Sequence, residues 1–433
     1  MNYIKKVKVD GFWGERSIEF NFHDDINFII GINGSGKTTA INMVVAALAA
    51  DFSELDRMEF SKITIELKSK SNKKKPSVSI VKNKNKDKPF DSIEYEIKRS
   101  SGESPVVLSL DDYEEKAMLR RYPRHILARE LVRHNEHNIG VVLSELVNMS
   151  WLSVHRASVK RNEYDNGNEK YDSSVDRKLR ELSNRLVRYF SSLEKECSNE
   201  LDKFQKEVFL SMLYSKTQNA LLSKIKDLDI ENEKKDLEKI FDQFDVSVKE
   251  FREKLDVHFN KLSSLKEKIN KSTSIDLPDL YVLIGTERID YIVNEWNKFL
   301  KKKNEIIEQR EIFLNIINSL MQRKKFSISL QNEIQAITQS GKELPIDRLS
   351  SGEKQLLIVM GEALLQEKKA WVYIADEPEL SLHVRWQESL VKNLRAINPN
   401  AQIIFATHSP DIVSSFTEKV FDMEEVVSDV HEN

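Results

Sequence analysis

A single cysteine, Cys197, stands in 433 residues. That excludes an internal disulfide framework and fits a reducing compartment. No apolar run reaches the ~18 residues needed to span a bilayer. The opening stretch MNYIKKVKVDGFWGERSIEF lacks the apolar block of a secretory signal. A soluble, cytoplasmic protein with no membrane partner is expected. An excess of one sign of charge is missing too: 67 Lys and Arg face 70 Asp and Glu, a net charge of −3. No global basic field therefore advertises nucleic acid. From residue 175 onward no glycine occurs until Gly285. What is plentiful is charge of both signs, 32% of residues, beside 40% hydrophobic. This composition permits a real core together with long exposed helices.

The N-terminal part reads as strands. YIKKVKVDGF and RSIEFNF alternate, with Gly11 and Gly14 as punctuation. INFIIG is short and mostly apolar, as in a buried parallel sheet. It runs into GINGSGKTT and then AINMVVAALAA, giving strand, loop and helix. KITIELKSK, SVSIVKN and SIEYEIKRS return to strands. The lysine-rich stretch from Lys68 to Lys88 reads as a solvated hairpin whose lysines blunt an exposed edge; a nucleic-acid contact is the sharper alternative. Residues 105–148 look helical and polar, and Met149 to Arg156, MSWLSVHR, as a further strand.

Between residues 175 and 325 apolar residues recur at three- and four-residue steps. Leu182 to Val208 form one stripe, Phe241 to Leu262 a second and Ile292 to Leu320 a third. These predict amphipathic helices, the longest of ~30 residues, with Pro278 breaking the pattern before the third. Strands resume at KFSISL and EIQAITQSGKELPIDRL, a hairpin around Ser340-Gly341. LSSGE and a helix follow, then two buried-type strands, AWVYIADEP and AQIIFATHS.

Four motifs carry chemistry. Gly31 to Thr38 match G-x-x-x-x-G-K-[ST] at every position. Asn33, Gly34, Ser35, Gly36, Lys37, Thr38 and Thr39 form the candidate nucleotide loop: backbone N–H groups wrap phosphate, Lys37 supplies the cation and the Thr38 hydroxyl suits Mg²⁺. Asp376, at the end of VYIAD, is placed to hold the metal, and Glu377 to act as general base. His408, just past another strand, suits a γ-phosphate sensor. Ser350, Ser351, Gly352 and Glu353 open a helix whose N–H groups face a phosphate. His134 and His137 read as surface-loop residues rather than metal ligands.

Phosphate loop, LSSGE, ADEPELSLH and ATHSP, in that order and with helices inserted before LSSGE, resemble the ABC-type ATPase head of the SMC branch and the overcoming-lysogenization-defect ATPases. The start of the chain and its short insertion look most similar to the AriA-type ATPases of PARIS anti-phage systems, with the PtuA-type ATPases of Septu and retron systems next. The resemblance implies an α/β fold: an ABC-type P-loop head, a mixed sheet plus an antiparallel β subdomain, interrupted by a helical, coiled-coil-like insertion. It divides the chain into residues 1–174, 175–325 and 326–433. It implies ATP and Mg²⁺ as cofactors and ATP hydrolysis at composite sites. Lys37, Thr38, Asp376, Glu377 and His408 would line the site of their own subunit. Ser350 and Gly352 would face the γ-phosphate of a partner in a homodimer, and Ser381, Leu382 and His383 would lie in the loop that meets the partner. Two departures stand out: residue 351 is serine where transporters carry glycine, and no glutamine is evident for the loop after a middle strand, a place that WLSVHR could fill. Phe12 and Trp13 are candidates to approach adenine, or to pack in the core.

About 25 residues follow His408, too few for a fused Toprim nuclease. The expectation is a sensor or scaffold in anti-phage defence, controlling a separate nuclease effector of Toprim or HNH type until a phage-encoded trigger protein is sensed. The alternative is an SMC-like repair or chromosome ATPase that clamps DNA. A short insertion and the absence of a zinc-hook C-x-x-C favour the first.

Overall fold

The computed structural model describes residues 2–69, 74–83, 91–109, 139–153, 174–213, 229–244, 246–271 and 273–429. The chain forms two compact units: Met1–Tyr189 with Gln309–Asn433, and Phe190–Glu308.

In chain order the first unit begins with β1 (Asn2–Phe12), β2 (Arg16–Asn21) and β3 (Ile26–Ile30). Next come α1 (Lys37–Ala49), α2 (Phe52–Arg57), β4 (Lys62–Ser69), β5 (Ser77–Asn83), β6 (Ser92–Lys98), β7 (Val106–Ser109), α3 (Ile139–Leu146) and β8 (Met149–Ser153). The helices α4 (Ser174–Ser211), α5 (Ile230–Gln243), α6 (Val248–Asn270) and α7 (Leu277–Leu320) follow. The chain then builds β9 (Lys324–Ile328), β10 (Ile334–Thr338), β11 (Glu343–Leu344), α8 (Ser351–Leu364), β12 (Val372–Asp376), α9 (Val384–Ile397) and β13 (Gln402–Ala406). Last are α10 (Pro410–Val413), β14 (Val420–Asp422), α11 (Met423–Val426) and β15 (Val427–Asp429).

The expected α/β class is the one observed. A seven-stranded sheet runs β15-β2-β1-β4-β5-β6-β7, and a five-stranded sheet runs β14-β3-β13-β12-β8. All pairings in the first are antiparallel. All in the second are parallel. Strands β3, β12 and β13 are continuous buried runs, because a parallel sheet is covered on both faces. α1 is apolar nearly all round, burying Ala40, Ile41, Met43, Val44, Ala46, Ala47 and Leu48, as a helix enclosed by the core must. Full burial of a side chain such as Phe28 or Phe405 contributes about 1.5–3 kcal/mol each. The buried Gln402 joins the two sheets: its Oε1 accepts from Ile4 N–H at 2.8 Å, and its Nε2 donates to the carbonyls of Ile4 and His23.

The second unit is helical. Leu237, Ile240, Phe251, Leu255, Phe259, Leu262, Trp296 and Phe299 belong to its core. Among the described residues no helix is long and apolar enough to cross a membrane.

Four readings of the sequence are corrected. The second stripe is two helices, because Ser247 and Glu250 form a capping box that starts α6. Pro278 lies in the first turn of α7, where a missing N–H costs nothing, so the third stripe starts there and α7 reaches 44 residues, roughly 66 Å. Val106–Ser109 is a strand rather than helix. Finally, β5 lies between β4 and β6, so its lysine does not guard an edge. Lys82 turns inward and donates to the carbonyls of Leu55, Asp56 and Met58, closing the C-terminus of α2 where orphan carbonyls favour a cation. Lys70, Lys73 and the residues from Lys84 to Lys88, like His134 and His137, lie outside the described residues.

Candidate nucleotide site

The parallel sheet sets the site by register. Asp376 pairs with Ala406 and with Ser153, Ala406 pairs with Ile29, and Ile30 pairs with Asp422. The carboxyl ends of all five strands therefore open at one edge, where ligands bind in open α/β sheets. Gly31 leaves β3 there, Asp376 ends β12, and Thr407 and His408 follow β13.

The phosphate loop runs from Gly31 into α1. Gly34 and Gly36 take φ of +86° and +96°, a left-handed backbone natural to glycine. A side chain at Gly36 would also meet Phe12 Cζ at 2.8 Å and the Trp13 ring at 2.9 Å. Phe12 and Trp13 stack with centroids 4.6 Å apart. Phe12 is fully buried, which settles it as core, whereas Trp13 is 41% exposed beside the loop. Asn33 is exposed and Thr39 half-buried. Lys37 Nζ donates to the carbonyls of Gly31 at 2.8 Å and Ile32 at 3.0 Å. Burial pushes its ammonium below the ordinary lysine range, and the carboxylates of Glu377, Asp376 and Asp422 pull against that.

Thr38 Oγ1 donates to Asp376 Oδ1 at 3.2 Å, so the hydroxyl and carboxylate expected to share a metal are adjacent. Glu377 takes φ of +48°, strained for a residue with a Cβ. Its N–H donates to Ala406 O at 2.9 Å, and its Oε1 lies 3.8 Å from His408 Nε2. Both side chains are about a third exposed, facing the open edge of the sheet.

Ser350 caps α8, with its N–H and hydroxyl both donating to Glu353 Oε2, at 2.9 and 2.8 Å. Lys324 holds the other oxygen of Glu353 at 2.5 Å. Burial works against ionisation of Glu353, but Lys324 and Ser350 outweigh it and hold the carboxyl below its usual range. Within its own chain Glu353 thus fastens the start of α8. Ser351 is exposed. Gly352 is buried against the loop after β12: a Cβ there would collide with the Ser381 carbonyl oxygen and lie 3.7 Å from Trp386. The stretch WLSVHR is β8 as far as Ser153, in register beside Asp376; its last residues lie outside the described ones.

The fit to a nucleotide can be tested on the loop itself. Ser35 Oγ is buried without a hydrogen-bond partner, and Lys37 donates to two carbonyls of the loop itself. An unsatisfied hydroxyl, left-handed glycines and a cation at a helix N-terminus suit a polyphosphate. Thr38 and Asp376 suit Mg²⁺, which takes few protein oxygens and keeps phosphate and water as its other ligands.

Residues 2–413 match the AAA ATPase domain family. The chain belongs to that family. This AAA ATPase domain is similar to a Retron Vc95 probable ATPase of Vibrio cholerae serotype O1 biovar El Tor, 23% identical over 405 residues, which cover 90% of this chain and 66% of that protein. It is similar to the Septu protein PtuA of Bacillus thuringiensis, 43% identical over 44 residues, 10% of this chain and 11% of that one. The chain spans under two thirds of the length of the curated relatives it matches. Among solved structures it aligns with the SmcHead bound to the C-winged helix domain of ScpA, at 11% identity and TM-score 0.44, covering 95% of this chain and 92% of that one. It also aligns with the Pyrococcus furiosus Smc head domain with an extended coiled coil bound to the C-terminal domain of ScpA, at 13% identity and TM-score 0.41, covering 96% and 92%.

Sequence reasoning missed three residues of this AAA ATPase domain. Asp422 reaches the loop because β14 pairs beside β3, a long-range pairing without a motif. Glu379 and Gln387 tie the loop after β12 to the residues after β13. Glu379 is the third acidic residue of the stretch that starts at Asp376, but its partners come from just past the far end of β13.

Proposed function

We propose that this chain binds and hydrolyses Mg-ATP as the sensor and scaffold of an anti-phage defence system, and that it controls a separate nuclease. The observation that carries the chemistry is the Thr38–Asp376 contact at the phosphate loop. Similarity to a retron ATPase over 90% of the chain, and to PtuA of Septu over the short stretch they share, supports the biological setting.

When bound, Mg-ATP supplies the phosphoryl group that passes to water. Lys37 leaves the Gly31 and Ile32 carbonyls and neutralises phosphate charge, while Thr38 and Asp376 hold the metal. Glu377, on its strained backbone, accepts a proton from the attacking water, a role worth 10²–10⁴-fold in such reactions. His408 donates a hydrogen bond to the phosphate end and registers its loss. Ser350 and the N-terminus of α8 serve the site of a second copy, so two chains close around two nucleotides. Residues 175–325 act as the sensing insertion between the two halves of the head. The effector is a Toprim nuclease, as in PARIS systems, or an HNH nuclease.

The test is turnover by the purified protein together with co-purification of the effector. Lys37→Ala abolishes ATP binding and releases the nuclease, and Glu377→Gln also changes its retention. ATP hydrolysis stimulated by DNA, with no associated nuclease, contradicts the proposal and favours a DNA clamp.

A further inference from the structure

Two loops flank the proposed γ-phosphate position: residues 378–383 after β12 and residues 407–409 after β13. They are cross-tied by two side chains. Glu379 is 7% exposed. Its Oε1 accepts from Thr407 Oγ1 at 2.5 Å and from His408 N–H at 3.2 Å, while its Oε2 is buried with no hydrogen-bond partner. On the other side, Ser409 Oγ donates to Gln387 Oε1 at 2.7 Å, and Gln387 Nε2 donates to Leu382 O at 2.9 Å.

A carboxyl in this setting is expensive. Burial pushes it above the usual carboxylate range despite the bonds from Thr407 and His408, and the nearby Glu377 adds to the rise. Half of its hydrogen-bonding capacity is unused. For core stability alone an apolar pair in place of Glu379 and Thr407 would serve as well. What an apolar pair could not do is hold the backbone of His408 at a defined place. A hydrogen-bond donor misplaced by about 1 Å can cost 10²-fold in rate.

We propose that Glu379 is a positioning residue for ATP hydrolysis, whose Oε1 fixes the Thr407–His408 backbone and links it to the loop on which the start of α8 rests. Ser381 lies two residues beyond Glu379, and its carbonyl fills the space that a side chain at Gly352 would take. A shift of the Ser350–Glu353 end of α8 therefore moves Ser381, then Glu379, then His408. On the composite-site reading above, on which this rests, α8 of one chain grips the other chain's nucleotide. His408 then responds to occupancy of both sites.

The experiment measures kcat, KM and the affinity for Mg-ATP in wild type, Glu379→Ala, Glu379→Gln and Thr407→Val, with thermal melting to check folding. Glu379→Ala loses kcat by about 10–100-fold with nucleotide affinity unchanged. Glu379→Gln keeps the accepting oxygen and stays within about threefold of wild type. Thr407→Val falls between them, and it decides the matter if Glu379→Ala does not fold. Unchanged kcat in Glu379→Ala, or in Thr407→Val, overturns the proposal. So does a Gln variant as slow as the Ala variant, or a loss of nucleotide affinity in step with kcat. A wild-type protein without turnover overturns the proposed hydrolysis and this inference together; the variant outcomes bear on Glu379 alone.

Discussion

Thr38 Oγ1 donates to Asp376 Oδ1 at 3.2 Å, joining residues 338 positions apart in sequence. One opens α1 and the other ends β12, a hydroxyl and a carboxylate of the kind that suits Mg²⁺. The parallel register brings the same edge to Glu377 and His408. The long helical insertion therefore interrupts the sequence of the site without interrupting the site.

Glu377→Gln keeps the size of the side chain and removes its basicity. Nucleotide affinity should stay within about threefold while kcat falls by roughly two orders of magnitude. Single-turnover hydrolysis beside equilibrium nucleotide binding separates the two. Unchanged turnover would rule Glu377 out as the base.

Gly352→Ala forces a Cβ onto the backbone oxygen of Ser381. Backbone cannot swing aside as a flexible side chain does, so destabilisation of about 1–3 kcal/mol is expected. Denaturant unfolding reads it as a lower midpoint at unchanged slope. Ser351→Ala, at an exposed neighbour, should shift stability by no more than about 0.5 kcal/mol.

Glu233, in the helical unit, is 8% exposed and neither oxygen has a hydrogen-bond partner. Burial, helped by the charge of Asp290, pushes its carboxyl from the ordinary 4.5 up to about 7. Between those values the folded protein holds a proton that the unfolded chain has released. Stability from this group is complete below about pH 4.5 and is lost as pH rises through about 7. Glu233→Gln should therefore be more stable than wild type at pH 8, by up to ~3 kcal/mol, and about equal to it at pH 4. Urea unfolding at the two pH values checks the sign.

The elements that were legible are those whose signal is local. INFII and QIIFA read as buried strands because all but Asn27 and Gln402 in them are apolar, and Gly34, Gly36 and Lys37 read as a glycine-rich loop entering a helix because backbone freedom and helix start are written side by side. The division of the second stripe at Ser247 was missed, since a cap of one serine and one glutamate is easily lost within a helical period. Lys82 was misread because its inward turn depends on where α2 ends. Glu379 escaped notice because its partners, Thr407 and His408, meet it only once β12 and β13 pair. Asp422 is the same case, placed by the β3–β14 pairing.

The shared ATP site is the central claim, and mixing two inactive variants tests it most directly. Lys37→Ala spoils the phosphate loop and Ser350→Arg spoils the α8 end. Each alone should be inactive. Random pairing of equal amounts should give half mixed dimers, each with one intact composite site, and so restore about a quarter of wild-type ATP turnover for independent sites. A mixture as inactive as its components, with exchange of subunits shown by a tag on one variant, would contradict the account.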